Sequence, residues 1–525
     1  MAASEEAARW ALELTAQASV NGTQDEAAFA GWLAGRLADT LGFTRVWTIP
    51  VRDDPLGRAA VAALAPGEGA RTVLLTGHFD TVHVEDYGDL APLAFRPYEL
   101  RAALIERLAT QAAEPAAALA LADLRSGEFL PGRGLLDMKA GLAAGLAAIR
   151  AWAVDEHRQG KLLFLAVPDE EGNSAGARAV VEALPAELQR MGLGLEAAIN
   201  LDAMLDQGDG AEGRRAALGT VGKLLPTALV VGRPAHAAGT LGGVNAGALA
   251  GALASAVEWA PELVDRAGDD VAAPPTLLGL ADHRPGYDVT TPERVWAYWN
   301  VMTLSRSPAA VLEAMANLTR GALVEALARL RARGGTALPE EVPVLTFADL
   351  AAEVRGWQAP DLPQGLDLPE RCRRLTEALW RQSGRPGPAV VLGFGSMPYL
   401  PASLAGAGGD RLEGAVRRAT AKTAARHGTT IGCRGHFPGI SDMSFLGQVD
   451  ASGVAAIAAN TPAWDHGIDW PAGAPSLGVP AINIGPWGRD YHTPLERLHT
   501  PYAFGVLPDL LLAAAREFLG DTATP

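Results

Sequence analysis

Histidine and acidic side chains follow apolar, strand-like runs at several points in this sequence. One such run leads directly into His78 and Asp80, and another leads into Glu170 and Glu171. In an open α/β sheet, ligands bind just outside the carboxyl ends of the strands. The residues that this rule gathers at one sheet edge are His78, Asp80, Asp137, Glu170, Glu171, Asp202 and His492. Together they predict a metal site.

These residue types suit metal-assisted hydrolysis. Imidazole and carboxylate ligation without thiolate is typical of zinc, manganese or cobalt at hydrolytic sites. Asp80 lies two residues from His78, on the same side of an extended strand, where its carboxylate can accept the second ring N–H. Glu170 and Glu171 point in opposite directions from an extended chain. One can therefore bind metal while the other takes the proton of the reacting water and passes it to the leaving amine.

Each of these residues taken alone has a plainer interpretation. A single histidine at a strand end is more often a hydrogen-bonded structural residue than a ligand, and the Asp-Glu-Glu run at 169–171 is typical of a solvated turn. The metal-site hypothesis depends on the convergence of all seven residues, and hence on the strand assignments.

Composition and charge exclude several classes of function. A net charge of −16 argues against binding to nucleic acid and to anionic membranes, and it indicates a solvated acidic surface. We find no apolar run long enough to span a bilayer and no secretory signal at the start. The two cysteines, Cys372 and Cys433, are too few for a disulfide framework. We therefore expect a cytoplasmic protein.

The pattern along the 525 residues predicts an α/β fold with an inserted domain. Two amphipathic helices are expected over 4–42, with Thr23 as the N-cap of the second. Alternating strands and helices then continue to about residue 221, which predicts βαβ units and a largely parallel sheet. The boundaries that we predict are 1–222 for the first part of the catalytic domain, 223–335 for an inserted two-layer α+β domain, and 336–525 for the second part of the catalytic domain.

The segment 85–130 interrupts the alternation of strands and helices. It contains an acidic loop at 85–89 and an Ala/Leu-rich helix. Because it lies between two motifs of the site, we expect it to wall or cover the pocket.

The sequence resembles the M20 metallohydrolases, the aminoacylase, carboxypeptidase and desuccinylase type. The resemblance covers nearly the whole chain, and four motifs occur in the family's order. They are Gly77-His78-Phe79-Asp80-Thr81-Val82, Gly132-Arg133-Gly134-Leu135-Leu136-Asp137-Met138-Lys139-Ala140-Gly141, Asp169-Glu170-Glu171-Gly172, and the late segment 485–497 around His492. It implies a three-layer α/β zinc-hydrolase domain with an inserted lid and dimerisation domain.

The resemblance also implies a centre of two Zn²⁺ ions per subunit, with Mn²⁺ or Co²⁺ as substitutes. Asp137 would bridge the two ions. His78 and Asp202 would complete one site, and Glu171 and His492 the other. Asp206 is the alternative to Asp202.

The catalytic roles follow from the same resemblance. Glu170 would be the general base and acid, and Asp80 would orient His78. In the inserted domain, Gly232-Arg233-Pro234-Ala235-His236-Ala237 matches the family's Gly-x-x-x-His-Ala pattern, so His236 would stabilise the oxyanion in the site of a neighbouring subunit of a homodimer. The other interpretation of His236 is a cap on the helix that follows it.

Other positions bear on the substrate. Asn300 stands roughly where many relatives carry an arginine that binds a substrate carboxylate, and Arg306 is nearby. Recognition of a free carboxylate is therefore in question. His436, Ser441 and Asp442 belong to a loop that is similar to a Ser-Asp segment near the family's site. These five are candidate substrate-binding residues.

The sequence thus predicts a metal-dependent hydrolase of an amide bond in a peptide or an N-acyl-amino acid. The segment 85–130 and the strand around Asn300 look most like the arginine-utilisation (RocB-type) branch of M20, which suggests a role in arginine or amino-acid catabolism. The alternative is a non-catalytic dimerising or regulatory protein on the same scaffold.

Overall fold

The computed structural model describes residues 3–40, 42–111, 113–284, 286–468, 470 and 475–520. These residues belong to two compact units. The first comprises Met1–Thr220, Ala402–Val449 and Pro471–Pro525, and the second comprises Val221–Pro401 and Asp450–Trp470.

The strands of the described residues are, in chain order, β1 (Arg45–Pro50), β2 (Ala59–Leu64), β3 (Arg71–His78), β4 (Phe129–Pro131), β5 (Lys161–Val167), β6 (Gly194–Asn200), β7 (Met204–Leu205), β8 (Arg215–Ala217), β9 (Gly219–Thr220), β10 (Gly222–Leu224), β11 (Pro226–Val231), β12 (Arg266–Ala267), β13 (Asp270–Val271), β14 (Thr276–Ala281), β15 (Arg294–Thr303), β16 (Val344–Thr346), β17 (Ala389–Phe394), β18 (Ala402–Ser403), β19 (Gly432–Arg434), β20 (Ala481–Asn483), β21 (Trp487–Arg489) and β22 (Arg497–His499).

The α-helices are α1 (Ala3–Ala16), α2 (Gln24–Thr40), α3 (Pro97–Ala109), α4 (Pro115–Ser126), α5 (Ala140–Ala153), α6 (Ala175–Arg190), α7 (Ala246–Val257), α8 (Pro308–Ala332), α9 (Phe347–Glu353), α10 (Leu368–Ser383), α11 (Gly406–His427), α12 (Met443–Leu446), α13 (Ala451–Asn460) and α14 (Leu507–Gly520). Thr23 caps α2 as expected, since its hydroxyl accepts the N–H of Glu26. Among the described helices, none is long and apolar enough to cross a membrane.

The first unit is built on an eight-stranded sheet of order β1-β2-β5-β3-β6-β20-β8-β19. Its central strands β5, β3, β6 and β20 run parallel, whereas β1, β2 and the β20–β8 pairing are antiparallel. Residues Thr72 to His78 of β3 are all buried, so helices cover both faces of the sheet, as expected for three layers. The carboxyl ends of the parallel strands meet at one edge, which confirms the arrangement that the sequence predicted.

Helix α5 approaches this sheet closely. A Cβ on Gly141 would lie 2.0 Å from the backbone oxygen of Leu201, so glycine is required where the helix crosses the strand end. The turn before α5 carries Asp137 and is thereby placed at the sheet edge.

The segment 85–130 forms a small helical subassembly. The acidic loop is a 3₁₀ turn (Glu85–Leu93), and two helices, α3 and α4, take the place of the one helix that we expected. The segment has an apolar cluster of its own, which includes Tyr87, Leu104 and Leu121. It lies beside a four-stranded sheet of order β4-β22-β21-β7.

The second unit contains the expected strands and helices of the inserted domain, but it continues beyond residue 335. Its sheet has the order β10-β15-β11-β17-β16, with β14 also paired to β15. Strand β17 pairs antiparallel with all six residues of β11, which draws residues 336–401 into this unit. Helices α9 and α10 add a layer that packs on Leu229 and Trp296. The aromatic strand β15 is thus largely packed in a core.

An aromatic stack holds the sheet β4-β22-β21 together. The rings of Trp487 and His499 are stacked with centroids 4.5 Å apart, and Phe129 meets His499 edge-on at 5.1 Å. Burial, together with the positive charges of Arg214 and Arg489, lowers the pKa of His499 from 6.5 to about 4. The folded protein therefore keeps this imidazole neutral in mild acid.

This shift predicts a pH dependence of stability. Because the pKa of His499 is lower in the folded than in the unfolded chain, the stabilisation is complete above pH 6.5 and is lost as the pH falls towards 4, by at most about 3 kcal/mol. His499→Gln should unfold with a shallower dependence on pH between 6.5 and 4. Urea unfolding of both proteins in a chelator measures this, and parallel pH profiles would contradict it.

Candidate metal centre

The carboxylate of Asp137 lies between two imidazoles. Its Oδ1 is 3.1 Å from Nε2 of His78, and its Oδ2 is 3.1 Å from Nε2 of His492. Nε2 of His492 is also 3.0 Å from Oε1 of Glu171. Single ligand atoms of His78, Asp137 and Glu171 all lie within 4.8 Å of one another. The last residue of β3, the turns after β5 and β21, and the turn before α5 supply these side chains.

Asp80 holds the site through its backbone and its side chain. Nδ1 of His78 is 3.0 Å from the backbone oxygen of Asp80 and 3.5 Å from its carboxylate, so the carbonyl is the nearer acceptor. A carbonyl oxygen only accepts, so Nδ1 carries a proton and donates it to the backbone oxygen of Asp80. The buried carboxylate of Asp80 instead accepts the backbone N–H groups of Glu170 (3.1 Å) and Glu171 (3.0 Å) and the side-chain amide of Asn21 (2.9 Å). It therefore fixes the Glu170–Glu171 turn.

Asp202, and not Asp206, faces His78. Its Oδ1 is 4.0 Å from Nε2 of His78, and Asn483 exchanges two hydrogen bonds with its backbone. A Cβ on Gly485 would lie 1.9 Å from the backbone oxygen of Asp202, so glycine is required here as well. Asp206 is occupied elsewhere, since its carboxylate accepts the N–H groups of residues 208, 212 and 213.

Burial and crowding set the protonation of the centre. Burial would raise the pKa of Asp137, but hydrogen bonds from His492 and His78 hold it below its usual range. Burial raises the pKa of Glu170, Glu171 and Asp202, and the neighbouring carboxylates raise each of them further. Buried carboxylates gathered at this density are neutralised either by protons or by a bound cation. The donor set of imidazole nitrogens and carboxylate oxygens thus fits divalent metals.

Glu170 stands at the edge of the cluster. Its Oε2 lies 3.9 Å from Nε2 of His78. The residue before it, Asp169, has a left-handed backbone (φ 67°), as does His492 (φ 61°). Non-glycine residues adopt this conformation when the surrounding contacts require it, and such positions concentrate at functional sites.

Arg133 and Glu496 lie within the quoted motifs and support the site from outside, although the sequence analysis gave them no role. Glu496 accepts hydrogen bonds from Arg133 (2.8 Å) and from the backbone N–H groups of Gly134 (3.1 Å) and His492 (3.3 Å). Both side chains of the Arg133–Glu496 pair are 1 % exposed. The sequence signal that could have identified them is that each lies inside one of the motifs that carry the metal-site candidates.

The structure divides the remaining candidates between the two units. His436, Ser441 and Asp442 lie in the first unit, all buried. The Ser441 hydroxyl accepts the N–H of Met443, and burial raises the pKa of Asp442 to about 7. The charge of Asp442 in turn raises the pKa of Glu170.

His236, Asn300 and Arg306 belong to the second unit. Nδ1 of the exposed His236 accepts the N–H of Ala238 at 3.1 Å, so the helix-cap interpretation holds for this nitrogen. The neutral ring then carries its proton on Nε2. Asn300 is half-buried in β15, and a backbone oxygen of Glu262 accepts a hydrogen bond from Arg306.

Comparison with known proteins identifies the family. Residues 111–467 match the sequence model of peptidase family M20/M25/M40. The chain belongs to this family. With the site described above, it is a metal-dependent hydrolase of amide bonds.

Two proteins of Bacillus subtilis (strain 168) are similar over nearly their whole length. An uncharacterized protein, YqjN, is 29% identical over 94% of this chain and 92% of its own. Protein RocB is 28% identical over 95% of this chain and 92% of its own. Among solved structures, a tripeptidase from Staphylococcus aureus superposes with a TM-score of 0.56 at 15% identity, covering 99% of each chain. That structure shares the fold.

The geometry around residues 202 and 206 yields a paired prediction. Asp202→Asn should weaken metal binding by about 10- to 100-fold, since the side chain that faces His78 loses its charge. Asp206→Asn should keep the metal but lower the free energy of unfolding by about 1–3 kcal/mol, because its carboxylate accepts three backbone hydrogen bonds. Zinc titration against a chelator and thermal unfolding measure the two effects. The reverse pattern would make Asp206 the ligand.

Proposed function

We propose that the centre would hold two divalent metal ions, zinc foremost, with Asp137 as a ligand shared by both. The observation that carries this proposal is the contact of its two carboxylate oxygens with two different imidazoles. His78 and Asp202 would complete one site, and Glu171 and His492 the other.

We further propose that Glu170 is the general base and acid. Metals bound in the centre supply positive charge that makes a reacting water more acidic. The Glu170 carboxylate takes the proton of that water and delivers it to the leaving nitrogen. Its burial and raised pKa suit a group that must both accept and donate a proton near neutral pH. The backbone hydrogen bonds to Asp80 keep it in place.

The substrate that we propose is a peptide or an N-acyl-amino acid. The similarity to a tripeptidase favours a peptide as the substrate. The similarity to protein RocB favours a compound of arginine metabolism. Asn300 in place of the expected arginine argues against simple recognition of a free carboxylate.

We also propose a cytoplasmic location. Two free thiols, at Cys372 and Cys433, are consistent with a reducing cytoplasm.

A substrate panel with a Glu170 variant tests the assignment. Zinc- or manganese-loaded protein should release amine from members of a set of dipeptides and N-acyl amino acids, arginine and ornithine derivatives included. Glu170→Gln should lower turnover by about 10²- to 10⁴-fold, because it removes the proton acceptor. The exposed Glu156→Gln is the matched control.

Both variants should keep their metal, since Glu170 is not assigned as a ligand. Full turnover by Glu170→Gln would refute its role. Metal-loaded protein that hydrolyses none of the panel would favour the non-catalytic, regulatory alternative.

We also propose a homodimer formed through the second unit. Strand β14 pairs with β15 and exposes Leu278 and Leu280, and Trp259 nearby is 71% exposed. An edge strand with exposed apolar side chains can pair with the same strand of a second subunit. In this arrangement the Nε2–H of His236 would donate to the oxyanion in the partner's site.

Mixed dimers test this role of His236. His236→Gln should lose about 10²- to 10³-fold in turnover, as expected for an oxyanion donor. Dimers formed from His236→Gln and Glu170→Gln chains should regain activity, because one of their two sites then has both residues intact. Inactive mixed dimers would place His236 in the site of its own subunit, and a fully active monomer in sedimentation would exclude the dimer.

A further inference from the structure

We propose that the helical segment 85–126 is a brace, that is, a support that positions His492. It thereby sets the affinity of the metal site that His492 and Glu171 would form. This inference rests on the proposed two-metal site. The His492 loop, residues 489–497, is joined to the segment in three ways: through Arg133, by direct ion pairs with Asp123, and by an apolar contact of Leu495. The segment thereby has a positioning function in addition to the wall or cover that the sequence suggested.

The first contact is a chain of charges centred on the buried Arg133–Glu496 pair. Arg133 donates to Asp86 of the segment at 2.6 Å and to Glu496 of the loop at 2.8 Å. Its guanidinium also lies over the ring of Tyr87, 5.0 Å from the centroid. Glu496 accepts the backbone N–H of His492. A path of direct contacts therefore joins the 3₁₀ turn of the segment to the backbone of His492.

The second contact holds both ends of the loop. Asp123 on α4 accepts hydrogen bonds from Arg489 at 2.7 Å and from Arg497 at 2.8 Å. Arg497 also donates to Asp490 at 2.6 Å. One carboxylate of the segment thus joins the first and last residues of the loop.

The third contact is apolar. Leu495 packs against the segment's own hydrophobic cluster of Tyr87, Leu104 and their neighbours. It lies three residues after His492, whose left-handed backbone depends on the loop conformation. Side chains that support a ligand from outside typically change metal affinity by about 10- to 100-fold when they are altered.

Asp123→Asn is the decisive variant, because it removes the charge while keeping the shape. Zn²⁺ titration against a chromophoric chelator should show two sites in the wild type. One site should be weakened at least tenfold in the variant and the other unchanged. Asp89→Asn is the control, since it breaks an exposed ion pair with Arg107 in the same segment, away from the loop.

A double variant identifies the affected site. His492→Ala should lose one site, and adding Asp123→Asn should not weaken the site that remains. Leu495→Ala removes the apolar contact without a change of charge and should reproduce the selective loss. If Asp123→Asn does not fold, the metal affinities of Leu495→Ala test the brace in its place.

Wild-type affinities at both sites in Asp123→Asn and Leu495→Ala would overturn the brace while leaving the centre intact. Equal weakening of both sites together with a lowered melting temperature would also overturn it, because that pattern indicates general destabilisation. A wild type that binds fewer than two Zn²⁺ would refute the proposed centre as well as the brace.

Discussion

The rest of this structure depends on the concentration of buried negative charge around two imidazoles. Asp137 can stay ionised because His78 and His492 donate to its two oxygens, whereas burial and neighbouring carboxylates raise the pKa values of Glu170, Glu171 and Asp202. A folded chain tolerates such a cluster when bound protons or cations neutralise its charge. The site thus has the electrostatic character of a metal centre.

Rigid support comes from the backbone and from side chains outside the cluster. The Asp80 carboxylate accepts the N–H groups of Glu170 and Glu171, Asn483 holds Asp202, and Glu496 holds His492. The contacts of Asp80 and Asn483 join segments that lie 90 or more residues apart in the sequence, whereas Glu496 acts within the His492 loop. They restrict ligand side chains that would otherwise sample many rotamers, which is how supporting residues raise metal affinity.

Strand pairing determines which residues belong to each of the two units. Residues 336–401 were expected to return to the catalytic domain, but β17 pairs along β11 and places them in the second unit. A six-residue antiparallel ladder and the burial of α9 and α10 outweigh the irregular, proline-rich appearance of residues 334–368. Local sequence carries little information about such pairing, because strand partners are chosen by long-range contacts.

The sequence by itself determined the reaction class and the site candidates. Apolar runs that end in His78, Glu170 and Asp202 specify strands, and parallel strands bring their carboxyl ends together. It also predicted the two helices of residues 4–42, because their apolar residues recur with helical periodicity.

Only the tertiary structure decided among residues whose local patterns are equivalent. Asp202 and Asp206 are both acids after a strand, and their roles differ because one faces His78 while the other accepts backbone N–H groups. The same holds for Asp80, which reaches His78 with its carbonyl and the Glu170–Glu171 turn with its carboxylate. The approach of Asp202 to His78 and the contacts of Asp80 with the Glu170–Glu171 turn span 90 or more residues, so they depend on packing, which no local pattern encodes.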